Sequence, residues 1–80
     1  MPILDMDTPN RITIDPDVLS GKPVVRDTRI AVAWVIELLA HGWSIEEITQ
    51  EYPALTAEDV YACLHYAHTQ LEAERAYPLP

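Results

Sequence analysis

Residues that end and start helices divide the second half of this 80-residue chain into three segments. Gly42 predicts the end of a first helix, because glycine is favoured in the left-handed conformation just beyond a helix. Ser44 and Glu47 have the spacing of a capping box and predict the start of a second helix. Pro53 ends that helix, and Thr56 is placed to cap a third. We therefore predict three helices joined by short turns.

Apolar residues repeat with helical spacing inside each segment. The repeats are Val32, Val35, Ile36 and Leu39 in the first, Ile45, Ile48 and Tyr52 in the second, and Val60, Leu64, Ala67 and Leu71 in the third. Each repeat predicts one apolar helix face that packs toward a shared core. We predict helices over about residues 32–41, 44–52 and 56–76, an order and spacing typical of a helix-turn-helix.

The preceding segment has the pattern of strands and turns. Residues 11–15 alternate polar with β-branched residues, which predicts a strand. Turn residues follow at 15–17 and 19–23, and two further extended segments, 23–26 and 28–30, lie on either side of a tight bend at Asp27. We therefore predict a short β ribbon within residues 11–31.

The whole pattern predicts a mainly α fold: a three-helix, homeodomain-like or helix-turn-helix bundle with a short N-terminal β ribbon. One domain would cover residues 11–76, with a flexible arm at 1–10 and a tail at 77–80. Apolar residues make up 49% of the chain, which is high for so small a domain and favours a homodimer.

Several features indicate a cytoplasmic protein. The one cysteine, Cys63, cannot form an intrachain disulfide and fits a reducing compartment. Residues 1–7 carry no basic residue, unlike a signal peptide. No apolar run approaches the roughly 18 residues of a membrane span, so we expect no membrane partner.

Charge is unevenly distributed along the chain. Residues 1–30 hold four basic residues against five acids, whereas residues 31–80 hold only Arg75 against eight acids. An acidic half repels nucleic-acid phosphates and favours a basic protein partner.

The motifs together resemble a bacterial family called domain of unknown function 433. They are Ile14-Asp15-Pro16, Ser20 to Arg26, Thr28-Arg29-Ile30, His41-Gly42, Glu46-Glu47-Ile48, Tyr52 to Thr56, and Tyr66-Ala67. The resemblance covers about residues 11–68 and implies a homeodomain-like bundle that is frequently dimeric. It also implies a Vap-type antitoxin role beside a PIN-like ribonuclease toxin. The family usually has glycine where this chain has Asp27, which tolerates a left-handed bend at some cost.

The candidate DNA-binding residues are the cations of the ribbon, Arg11, Lys22, Arg26 and Arg29. A ribbon doubled in a two-fold dimer could enter a groove of DNA. The alternative is that Arg26 and Arg29 pair with nearby aspartates and position the arm.

The third helix would be the recognition helix of a helix-turn-helix, but its first turn is acidic and none of its residues placed to face the groove is an arginine or lysine that could contact guanine. We therefore favour a protein-docking role for it. The candidate partner-binding residues are Glu58, Asp59, Tyr61, His65 and Glu72.

Catalysis and metal binding are weaker alternatives. His65, His68 and Glu72 share a helix face that could ligate zinc, but Cys63 points elsewhere and no second cluster exists. Cys63 and His65, two apart on a helix, diverge too far for a nucleophile and its base. We expect no catalytic residues, metal or cofactor.

These observations favour an antitoxin-like protein that binds and neutralises a cognate PIN-like ribonuclease toxin, with operator DNA as a second partner for autoregulation. The alternative is a DNA-binding transcriptional regulator without a toxin. A small metal-dependent enzyme is a remote third.

Overall fold

A computed structural model of the chain describes residues 11–74 and shows two short strands followed by three helices. The elements are β1 (Ile12–Ile14), a 3-10 helix (Leu19–Gly21), β2 (Pro23–Val25), α1 (Val32–Ala40), α2 (Ile45–Glu51) and α3 (Ala57–Glu74). The predicted mainly α fold, with three helices behind an N-terminal β hairpin, is confirmed. The predicted arm at 1–10, the tail at 77–80 and the last two residues predicted for the third helix lie outside the described residues.

The end of α1 and the start of α2 lie where the capping residues predict them. Gly42 has a φ of 96° just after α1, a conformation that favours glycine. At the start of α2, the Glu47 backbone N–H donates to Ser44 Oγ at 3.0 Å. The Ser44 backbone N–H donates to Glu47 Oε1 at 2.8 Å, which completes the capping box.

The start of α3 carries a second reciprocal cap, with aspartate in place of glutamate. The Asp59 backbone N–H donates to Thr56 Oγ1 at 3.2 Å, and the Thr56 backbone N–H donates to Asp59 Oδ2 at 2.9 Å. The other carboxylate oxygen, Oδ1, accepts a 2.9 Å hydrogen bond from the Arg11 guanidinium. The Arg11–Asp59–Thr56 cluster therefore ties the residue preceding β1 to the first turn of α3.

Both strands of the hairpin lie within predicted extended segments, 11–15 and 23–26. β1 runs antiparallel to β2, with Ile12 opposite Val25. The predicted strand at 28–30 is wrong, because Thr28 turns the chain instead: its hydroxyl donates to the Val25 carbonyl at 2.7 Å and accepts from the Ile30 N–H at 2.9 Å. The Thr28 side chain thus occupies the Val25 carbonyl and the Ile30 N–H, which a β ladder would need. On that side β2 makes only an isolated β-bridge, Val24 with Ala31.

The predicted bend at Asp27 is confirmed. Asp27 has a φ of 63°, and the Thr28 N–H donates to the Val25 carbonyl at 3.0 Å across the turn. A positive φ at the third residue of a β-turn is the geometry that usually calls for glycine. Aspartate is among the few other residues that adopt it readily, so the bend survives without the glycine of the family pattern.

A single core joins the hairpin to the helices. Its buried members are Ile12, Val25, Val32, Val35, Leu38, Ile48, Leu55, Val60, Ala62 and Cys63. α1 packs against α3 and β2, while α3 also packs against α2 and β1. In α1 the most buried residues are Val32, Val35 and Leu38, and the predicted Ile36 and Leu39 are only partly buried.

The predicted inner face of α3 is wrong at two positions. Leu64 is 40% exposed and Leu71 is 62% exposed, whereas Val60 and Cys63 are fully buried. The row of α3 that contains Val60 and Cys63 packs into the core shared with α1, α2 and the hairpin. Leu64 then lies on the outer side of the helix.

Replacing Asp59 by alanine should destabilise the domain by about 2–3 kcal/mol, because it removes a helix cap and a charge-assisted hydrogen bond. Thermal unfolding followed by circular dichroism should show a drop of the order of 10 °C. The matched control is Glu58→Ala, since Glu58 is the exposed acid beside it and should change stability by no more than about 0.5 kcal/mol. Equal effects of the two substitutions would contradict this assignment.

Candidate functional site

The four candidate DNA-binding cations do not form one group. Arg11 is engaged with Asp59 at 2.9 Å and serves the fold. Lys22, Arg26 and Arg29 lie exposed around the hairpin and the bend that follows it. The surface available for phosphate contacts is therefore smaller than the sequence predicts.

Arg26 and Arg29 form no ion pair with an aspartate within residues 11–74. Asp15 Oδ1 instead accepts from the Asp17 backbone N–H at 2.9 Å, which closes a local turn. A depression beside the bend is lined by Thr13, Asp15, Val18, Val24, Arg26, Asp27 and Thr28. This lining mixes two carboxylates with one guanidinium, so it is not a strongly cationic pocket.

A mostly exposed surface, with His65 as its one partly buried member, runs along the outer side of α3. Its residues, called the α3 stripe, are Tyr61, Leu64, His65, His68, Leu71 and Glu72. Tyr61 is 54% exposed and Leu71 is 62% exposed, so two large side chains present apolar area to solvent without burial in the core. Exposed apolar area of this kind is typical of a docking surface.

The C-terminal part of α3 extends beyond the core. Residues 68–73 are all exposed, although consecutive residues of a helix point to every side of its axis. Below this segment, Ala67 and Tyr66 are partly buried and Cys63 is fully buried. This helix is thus held at one end and surrounded by solvent at the other.

Two of the candidate partner-binding acids have different environments. Glu58 is exposed in the first turn of α3, whereas Asp59 is only 8% exposed and is held by Arg11 and Thr56. Sequence reasoning placed both on the surface because acids are common at helix starts. The Thr56-x-x-Asp59 spacing, which repeats that of Ser44 and Glu47, is the signal that could have identified Asp59 as a capping residue.

The histidines of the stripe interact with neighbours on the same helix. His68 Nε2 lies 3.4 Å from Glu72 Oε2, and the His65 and His68 rings stack with centroids 6.4 Å apart. Among residues 11–74, no group of three or more histidine, cysteine or acidic side chains is arranged to hold a metal ion.

Cys63 is buried in the core. Loss of solvation on burial, with a smaller contribution from the charge of Asp59, raises the pKa of its thiol from 9.0 to about 12. Because the thiolate is the reactive form, this environment suppresses nucleophilic chemistry at Cys63.

The two tryptophans have different roles in packing. Trp43 packs against the core, while Trp34 is partly exposed and its indole Nε1 donates to Tyr52 Oη at 3.1 Å. This bond joins α1 to the end of α2. Within residues 11–74, no helix is long and apolar enough to cross a lipid bilayer.

Comparison with known proteins connects this fold to a family. The sequence profile of a family described as "Protein of unknown function (DUF433)" matches residues 12–67. The chain belongs to the DUF433 family. A crystal structure of a DUF433 member from Anabaena variabilis has a TM-score of 0.73 to this chain and 34% sequence identity, and the match covers 91% of this chain and 75% of that one.

A curated relative, "Uncharacterized protein y4eO" of Sinorhizobium fredii, is 41% identical over 56 residues. The match covers 70% of this chain and 25% of the relative, so this chain aligns with about a quarter of a longer protein. The DUF433 domain thus occurs as one part of a larger chain.

The raised pKa of Cys63 predicts that stability falls above pH 9. The folded protein keeps the thiol proton to about pH 12 whereas the unfolded chain loses it near 9.0, so the folded state binds more protons in between. Between pH 8 and pH 10 this should remove about 1.4 kcal/mol from the free energy of unfolding. Urea unfolding should show this extra loss in the wild type relative to Cys63→Ala, and parallel pH profiles would contradict it.

Proposed function

We propose that this DUF433 protein is an antitoxin-like binding protein that binds and neutralises a cognate PIN-like ribonuclease toxin through the α3 stripe. The observation that carries the proposal is the exposed outer side of α3, where Tyr61 and Leu71 present apolar area beside Glu58 and Glu72. Aromatic and aliphatic anchors surrounded by charged residues are typical of protein-binding surfaces.

The distribution of charge supports a basic partner. Residues 31–80 hold one basic residue against eight acids, so the helices present a strongly acidic surface. A ribonuclease must offer cations to the RNA backbone, because phosphate contacts supply much of nucleic-acid affinity. An acidic protein that covers those cations would exclude RNA, which is a direct route to neutralisation.

Four of the five candidate partner-binding residues remain in this proposal. Glu58, Tyr61, His65 and Glu72 lie on α3, at its exposed first turn or along the stripe. Asp59 is left out, because its carboxylate is already engaged by Arg11 and Thr56.

Co-expression with the product of the adjacent gene tests this proposal. The wild type should restore growth and form a stable complex, and Tyr61→Ala combined with Leu71→Ala should weaken that complex about 100-fold, since two apolar anchors are lost. The matched control is Ile14→Ala, because Ile14 is 58% exposed on the hairpin and far along the chain from α3. If the wild type gives neither growth rescue nor a complex, the proposal is refuted.

A transcriptional regulator is the second candidate. Its DNA binding, like the autoregulation of an operon by an antitoxin, would use the exposed cations of the hairpin and the bend. It is favoured by one observation: Lys22, Arg26 and Arg29 are exposed near one end of the domain. The homodimer that the apolar composition favours would bring two such sets together. A cytoplasmic location, favoured by the single cysteine, would suit both functions.

Operator binding measured by fluorescence anisotropy across a salt series tests this candidate. Arg26→Ala combined with Arg29→Ala should lower affinity and reduce the slope of log K against log salt by about 2 per protomer. The matched control replaces both arginines by lysine, which keeps the charge and should preserve the slope. Unchanged affinity in the alanine variant would exclude this surface.

A further inference from the structure

The apolar and aromatic residues of the α3 stripe have the spacing of a helix-pairing seam. Tyr61, Leu64, His68 and Leu71 follow one another at intervals of three, four and three residues. This is the heptad spacing by which two helices pack side by side in a left-handed pair. The four side chains lie on the outer side of α3, which leaves room for a second helix.

We propose that the α3 stripe pairs with a basic amphipathic helix of a different protein. The proposal rests on the proposed function for the identity of that protein, the toxin, and adds the kind of element that docks. From Tyr61 to Leu71 the seam is about 15 Å long, because a helix rises 1.5 Å per residue. A partner helix of about three to four turns would cover it.

Acidic residues along one edge of the seam determine the charge of the partner. Ala57, Leu64 and Leu71 are seven residues apart and occupy equivalent positions of the seam. The residues that directly follow them line one edge of the seam; they are Glu58, His65 and Glu72. In paired helices, residues at this edge face charged residues of the partner and set partner choice. Two carboxylates there favour lysine or arginine on the facing helix.

The same edge disfavours a second copy of this chain. An antiparallel pair of α3 helices would place Glu58 of one copy near Glu72 of the other, and like charges that face each other are destabilising. α3 itself, Ala57–Glu74, contains no lysine or arginine. Within residues 57–74, a second α3 therefore has no lysine or arginine to offer this edge in either orientation.

His68 adds a constraint on register. It occupies the middle of the seam between Leu64 and Leu71, with its Nε2 3.4 Å from Glu72. A polar residue within an apolar seam favours the register in which the facing residue can accommodate it. The partner helix should thus carry a polar residue opposite His68.

Two synthetic 18-residue helices test the proposal with the full chain. Both carry leucine at seam positions except for one asparagine opposite His68, and one carries lysine at the flanking positions where the other carries glutamate. The lysine peptide should bind at least 100-fold more tightly by fluorescence anisotropy, and less tightly as salt is raised. Tyr61→Ala combined with Leu71→Ala should weaken its binding at least tenfold without changing the charge of the protein, and Ile14→Ala should leave it unchanged.

Four outcomes would overturn the proposal. Equal binding of the two peptides would contradict the argument that charge selects the partner. Binding that survives the double substitution would show only nonspecific attraction between a cationic peptide and an acidic protein. Sedimentation equilibrium that detects a dimer dissociated by the double substitution would assign the stripe to a second copy. If the lysine peptide fails to bind but the adjacent gene product still binds the wild type, the proposed function stands and the helix-pairing inference fails.

Discussion

The arrangement of this domain depends on the hydrogen bonds that the carboxylate of Asp59 accepts. One oxygen accepts from Arg11 beside β1 and the other accepts from the Thr56 N–H at the start of α3. A buried carboxylate is costly unless its charge is paired and its oxygens are hydrogen-bonded, and these two partners meet both requirements. Because the partners lie 48 and 3 residues away, the same group caps a helix and attaches the hairpin to it. Val60 and Cys63, which follow Asp59 on α3, are fully buried in the core.

The sequence predicts the helices well because their ends are determined locally. Gly42 and the Ser44–Glu47 box act within one turn of the chain, so their geometry follows from spacing alone. Both hairpin strands lie within segments predicted as extended, but the turn at 28–30 was not recognised, because it depends on Thr28 using its hydroxyl to bond Val25 and Ile30. The exposure of Leu64 was not predictable, since two apolar rows of α3 have similar spacing and packing against α1, α2 and β1 decides which row is buried.

Pairing Arg11 with Asp59 also changes which charges remain available at the surface. It removes one cation from the ribbon and one acid from α3, and it leaves Arg26 and Arg29 exposed at the bend. The depression there also contains Asp15 and Asp27, which dilute its positive charge. The acidic helices therefore carry the stronger electrostatic signal. For this reason we propose protein binding as the first function and DNA binding as the second, although three helices in this order are typical of a DNA-binding helix-turn-helix domain.

A helix anchored at one end is well suited to docking. The first turn of α3 is fixed by its cap and by Arg11, and its middle is fixed by burial of Cys63, so residues 68–73 continue as a helix into solvent. A partner that binds this segment meets a surface that is already ordered, and it loses less conformational entropy than it would on binding an unfolded segment. The burial that raises the pKa of Cys63 is thus part of what holds the α3 stripe in place. Weakening the Asp59 cluster should loosen that surface even though none of the cluster's residues belongs to the α3 stripe.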